Sequence, residues 1–202
     1  MFQTKKILFS LLIFATAYII SLIIWIQIKP YYGNVMTRSG SECAALFSSF
    51  RLDNFVHDNE IAKINFSRLI YSHKGLGDLV IDLQINVSNY SFNIPLTIAL
   101  ILSLLPIVKW WNPRTIIEVV IILLVIHFCY VFFYTSLQLF YYSHPGVRQD
   151  SFLTTLNQYF LEFMWMFIDN MVVRFEPFLV ALYIFFRNQA TKKITSKKIP
   201  QR

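Results

Sequence analysis

The sequence predicts a mainly α-helical integral membrane protein with four transmembrane helices, the last one long and kinked, carrying a small extracytoplasmic insert of one helix and a β-hairpin. Three observations lead there. Of 202 residues, 56% are hydrophobic and only 14% charged, with a mean hydropathy of +0.52. A solvated globule needs about 25% charge to cover its surface, so a bilayer is the solvent this composition requires. The apolar residues also fall in runs of about the length that crosses a hydrocarbon core. One long stretch between the first two runs is polar and carries strand and turn patterning instead. The same counts exclude intrinsic disorder, because 20 Phe, 11 Tyr and 4 Trp present far too much apolar surface to remain in water.

Residues 7–28 form an uninterrupted apolar run without a charge. At 1.5 Å per residue it measures about 33 Å, enough to cross the core. A cleaved signal peptide has a shorter apolar region and a small-residue cleavage site, whereas this run continues through Trp25 to Lys29-Pro30. The second expected span, 92–108, carries Pro95 near its start and Pro106 near its end, where a missing N–H is easiest to tolerate. Lys109, Trp110, Trp111, Asn112, Pro113 and Arg114 then form a basic, aromatic turn suited to a cytoplasmic headgroup surface. A third span over 116–139 ends in Tyr141 and Tyr142. Residues 152–186 are too long for one straight crossing, since about 35 residues would measure about 52 Å. The expected division is a kink at Pro177, which lacks the hydrogen bond to Val173. This leaves 152–161 as an interfacial lead-in and 162–186 as the bent fourth span.

Positive charge fixes the orientation. The formal net charge is +7, and the tail alone contributes Arg187, Lys192, Lys193, Lys197, Lys198 and Arg202, leaving about +1 elsewhere. Clustering at the chain ends, with Lys5 and Lys6 before the first span, is a topology signal and excludes a nucleic-acid face. Both termini and the 109–114 turn are expected in the cytoplasm of an inner-membrane protein. Trp25, Trp110, Trp111, Tyr141 and Tyr142 are the expected interface anchors. The organisation is then a tail and first span over 1–29, an extracytoplasmic insert over 30–91, the remaining spans over 92–187, and a basic cytoplasmic tail over 188–202.

Within the insert, Leu79, Ile81, Leu83, Ile85 and Val87 alternate with mostly polar residues, the period of a strand with one wet face. Residues 61–71 supply its partner, and Gly75-Leu76-Gly77 is expected in the hairpin loop. A short helix over 41–52 would present Cys43, Ala44, Leu46, Phe47 and Phe50 as an apolar stripe. A two-stranded hairpin is marginal alone, so the insert should pack on the membrane or on a partner protein.

No nucleotide-binding glycine loop, GxSxG elbow, HExxH, CxxC or zinc spacing occurs, so neither catalytic residues, a metal nor a cofactor is expected. Cys43 and Cys129 allow at most one disulfide and show no framework. The unusual residues are polar ones at membrane depth, where each charge is costly unless paired or wet. Glu162, Asp169 and Glu176 repeat every seven residues, so they lie on one helical stripe, with Arg174 off it and His127 at similar depth. One reading of His127, Glu162, Asp169, Arg174 and Glu176 is a proton relay or substrate-polarising site. The other is charge pairing that fixes the bundle or meets a partner.

The layout resembles the exosortase-associated membrane proteins of bacterial envelopes, specifically the exosortase H-associated type. The resemblance rests on the first span closing on Trp25 and Lys29-Pro30, the helix-and-hairpin insert, Phe92-Asn93-Ile94-Pro95-Leu96 entering the second span, and Arg174-Phe175-Glu176-Pro177-Phe178 in the last. It implies a non-enzymatic accessory protein encoded with a membrane-embedded sorting enzyme that processes C-terminal anchors, and a lipid bilayer and a membrane protein as partners. Surface-polymer export is a related assignment. The sorting enzymes carry a Cys/Arg/His catalytic set that this chain lacks, so no catalytic residue carries over. The alternative from another class is a small intramembrane enzyme or transporter built on the five polar residues above.

Overall fold

The computed structural model describes residues 2–58, 60–72, 75–106, 113–143 and 152–197. The chain opens with α1, Phe2–Phe47, one continuous helix of 46 residues and about 69 Å, with Pro30 inside it. Three strands follow, β1 (Arg51–Asp58), β2 (Ile61–Ser72) and β3 (Gly75–Asn86). The remainder is helical: α2 (Ser88–Ser91), α3 (Ile94–Ser103), α4 (Pro113–Ser143), α5 (Phe152–Phe167), a π-helical segment (Ile168–Val173) and α6 (Arg174–Lys197). Of these, α1 and α4 are long and apolar enough to cross a hydrocarbon core.

By contacts the chain divides into two compact units, one of Met1–Gln27, Phe92–Leu123 and Arg174–Arg202, the other of Ile28–Ser91 and Leu124–Val173. In the first, α3 packs on α6, and Ile101, Val119, Val180 and Ile184 form the buried core. Its α1 segment is apolar on the outside, with Ile7, Leu8, Leu11, Leu12, Ile19 and Ile23 all exposed. A surface of that kind belongs in lipid. Hydroxyls stitch α1 to α3 where no aqueous driving force exists. Ser10 Oγ donates to the Ser103 carbonyl at 2.5 Å, one of the orphan acceptors at the end of α3, and Ser21 Oγ donates to the Pro95 carbonyl at 3.0 Å.

The second unit holds an antiparallel sheet of order β1-β2-β3. Ala62, Ile64 and Phe66 of β2 stand opposite Ile85, Leu83 and Ile81 of β3, and all six are buried. They share one core with Ala45, Tyr90, Val131 and Leu139. Lys63, Asp82 and Gln84 alternate outward and are exposed, as the period-two pattern of β3 requires.

Four expectations need correction. The helix placed over 41–52 is the last part of α1, which does not break at Lys29-Pro30. It ends in a Schellman cap, with Phe50 N–H bonded to the Ala45 carbonyl at 2.8 Å, Ser49 N–H to the Leu46 carbonyl at 3.3 Å, and Ser49 at φ 57°. The hairpin is a three-stranded sheet: 51–58 pairs with β2, with an irregularity between Leu52 and Asn54 that blurs the sequence alternation. Gly75 and Gly77 belong to β3, paired with Ser72 and Ile70, and not to a loop. Finally, the long last helix changes character at the π-helical segment ending at Val173, four residues before Pro177. In regular α-helix the ring of Pro177 would face the carbonyl of Val173, the last residue of that segment. The second expected span is represented by α3, whose ten residues reach about 15 Å; the 109–112 part of the basic turn, with Trp110 and Trp111, lies outside the described residues.

Candidate functional site

His127 sits on α4 in the sheet-bearing unit, fully enclosed. Its Nδ1 lies 2.5 Å from the Tyr32 hydroxyl of α1, and its ring meets Tyr32 edge-on at 5.7 Å and Tyr90 at a tilt at 5.6 Å. The Tyr90 hydroxyl is 2.9 Å from Thr37 Oγ1, and burial pushes the Tyr90 phenol up to about 12. The ring array extends from Tyr90 to Tyr130 at 5.4 Å and from Tyr130 to Trp165 at 4.8 Å. Small residues on α1 allow this approach. A Cβ on Gly40 would meet Val131 Cγ1 at 2.7 Å, and one on Gly33 would meet Val87 Cγ2 at 2.5 Å. Gly33, Thr37, Gly40, Ser41 and Ala44 recur at the three- and four-residue spacing of one helix face, and all five are buried.

In the other unit, Glu176 lies in the first turn of α6 with no exposed surface. Thr97 Oγ1 of α3 donates to its Oε1 at 3.1 Å, and Thr97 is equally enclosed. Pro95 at the start of α3 suits a first turn, and Pro177 follows Glu176 inside α6. Towards the far end of α6, Glu118 accepts from Tyr183 at 2.6 Å and from Arg187 Nη2 at 2.9 Å, which satisfies both its oxygens. Arg187 is thus the ion-pair partner of Glu118.

The predicted cluster is distributed as follows. His127, Glu162 and Asp169 belong to the sheet-bearing unit, Arg174 and Glu176 to the other. Glu162 is half-buried and accepts from Tyr141 and Gln158, each at 2.7 Å. Asp169 is half-buried within the π-helical segment, and Arg174, the first residue of α6, is exposed. The seven-residue spacing assumed unbroken α-helix, and the π turns between Asp169 and Glu176 take an extra residue each. Of the expected anchors, Trp25 is buried while Tyr141 and Tyr142 are exposed.

Sequence reasoning missed Tyr32, Thr37, Tyr90 and Thr97 as the polar partners. The small-residue face from Gly33 to Ala44 was the available signal, since it marks where another backbone comes close. Among the described residues, no three His, Cys, Asp or Glu side chains gather as a metal-binding group. What the two sites offer is an enclosed imidazole held by phenols and an enclosed carboxyl held by a hydroxyl. No curated protein and no solved structure matches the chain. A family model does match, over residues 4–188, and it covers both sites and the sheet: the chain belongs to the family described as exosortase H-associated membrane protein.

Proposed function

We propose that this protein is a non-enzymatic accessory subunit of an exosortase-linked sorting complex in the bacterial inner membrane. The observation that carries the reading is the family match across 4–188, whose name ties the chain to that enzyme. Supporting it, α5 in the sheet-bearing unit leaves Phe152, Tyr159, Phe160, Phe163 and Phe167 exposed, at the spacing of one helix face. A contiguous aromatic surface of this size fits a membrane-protein partner or lipid. We place four spans, with both termini inside and the 30–91 insert outside. Deleting the gene should leave the sorting enzyme present yet cause its precursor substrates to accumulate, with recovery on complementation. Normal processing in the deletion strain would refute the accessory role. For the topology, single cysteines at Lys63 or Asp82, in a protein with Cys43 and Cys129 replaced, should react with an impermeant maleimide in intact cells. Cysteines at Lys5 or Lys192 should react only after lysis, and the reverse pattern would overturn the orientation.

The buried Glu176 carboxyl favours a second reading, a small intramembrane enzyme or transporter that uses Glu176. Under it, Glu176→Gln should accumulate normally and fail to complement. Under the accessory reading the same variant complements.

A further inference from the structure

One cation in the sheet-bearing unit has chemistry around it that the sorting role does not use. Arg68 of β2 lies over the Phe50 ring at 5.5 Å, and among the described residues its guanidinium has neither a carboxylate partner nor a hydrogen bond. It lines a cavity of about 340 Å³ between the ends of α1 and α4 and the start of α5. Ser49, Thr154 and Asn157 line the same cavity, and among the described residues no Asp or Glu does. Phe47, Phe140, Leu153 and Leu161 supply its apolar lining. Leu46, Phe152 and Leu156, next in sequence or on the same helices as its lining residues, are exposed. The cavity thus combines one cation, hydroxyls and an amide with apolar side chains, and exposed apolar residues lie on the same helices.

We infer that this cavity binds a phosphate-bearing anionic amphiphile, with the phosphate on Arg68 and an acyl chain on the Phe47 and Leu153 wall. A guanidinium suits phosphate because its N–H groups form a planar fork matched to two oxygens, and the neighbouring hydroxyls and amide supply further donors. The volume is within the usual range for small-molecule sites. Tyr141 and Tyr142, exposed near the end of α4, fit a headgroup-level position and make a membrane phospholipid the source.

The test uses the full-length protein in nanodiscs and in detergent. Phosphatidylglycerol retention, read by native mass spectrometry, should fall about tenfold in Arg68→Gln and recover in part in Arg68→Lys. Lys63→Gln, on the exposed face of the same strand, should leave it unchanged. Phosphatidylcholine retention should be the same in all variants. A thermal melt without added lipid reports folding: Arg68→Gln should melt as the native protein does. Undiminished phosphatidylglycerol retention in a folded Arg68→Gln overturns the proposal. So does protection from melting by inorganic phosphate equal to that by the lipid, since the site would then hold the free anion.

Discussion

Replacing Gly33 by Ala tests how closely α1 approaches Val87 within the sheet-bearing unit. A Cβ at this position would stand 2.5 and 2.7 Å from the two methyls of Val87 and 3.1 Å from His57 Nε2. Val87 cannot give way easily. It is fully buried, its β-branched side chain is stiff at χ1, and its N–H is bonded to the Glu60 carbonyl at 2.8 Å. Inserting a methyl into such a contact costs about 1–3 kcal/mol. The substitution also gains up to about 1 kcal/mol of helix propensity, because Gly is a poor helix former. The net expectation is a loss of about 1–2 kcal/mol, visible as a lowered Tm of the detergent-solubilised protein. Val87→Ala alone should destabilise by about 2 kcal/mol through lost burial and a cavity. Because it removes both clashing methyls, the double variant Gly33→Ala/Val87→Ala should lie above the sum of the singles by about 1–2 kcal/mol. A stabilising Gly33→Ala, or strictly additive losses, would show that α1 does not approach Val87 so closely.

Two further predictions concern titratable and buried polar groups. His57 is held below its usual value of 6.5 by burial, partly opposed by Asp58, and its Nε2 is enclosed without a partner among the described residues. The unfolded chain therefore binds the proton more readily, so stability contributed by the neutral ring is present above about pH 6.5 and is lost as pH falls below it. Melting of the full-length protein between pH 7.5 and 5 should show this decline, and His57→Phe should flatten it; an unaltered slope would remove His57 as the cause. Thr97→Val strips the hydroxyl that donates to the enclosed Glu176 and should cost about 1–3 kcal/mol in the same melt, while Thr97→Ser costs less. Equal stability of Thr97→Val and the native protein would show that this hydrogen bond contributes nothing.

The strand pattern of β3 was legible because one face is buried and the other wet, so Ile81, Leu83 and Ile85 repeat at period two. β1 was not, since Arg51, Asp53, Asn54 and Asp58 are exposed and the irregularity after Leu52 breaks the alternation. The extent of α1 was hidden by Pro30, which ordinarily ends a helix but here lies within one. Of the polar residues singled out by their depth in apolar segments, Glu176 and His127 are fully buried. Their partners were illegible for a different reason. Tyr32 and Tyr90 are distant in sequence from His127, as Thr97 is from Glu176, and only the packing of α1, α3, α4 and α6 within each unit selects them. The π-helical segment is likewise a backbone feature that side-chain periodicity does not encode.

Site-specific photocrosslinking from α5 examines the accessory role where its surface is most apolar. With a benzophenone amino acid at Phe163, exposed on the aromatic face, ultraviolet irradiation of intact cells should yield an adduct containing the exosortase. The same probe at Lys63, on the exposed face of the sheet, should yield none. Adducts from Phe163 to lipid alone, with precursor processing unaffected by its substitution to Asp, would contradict the assignment.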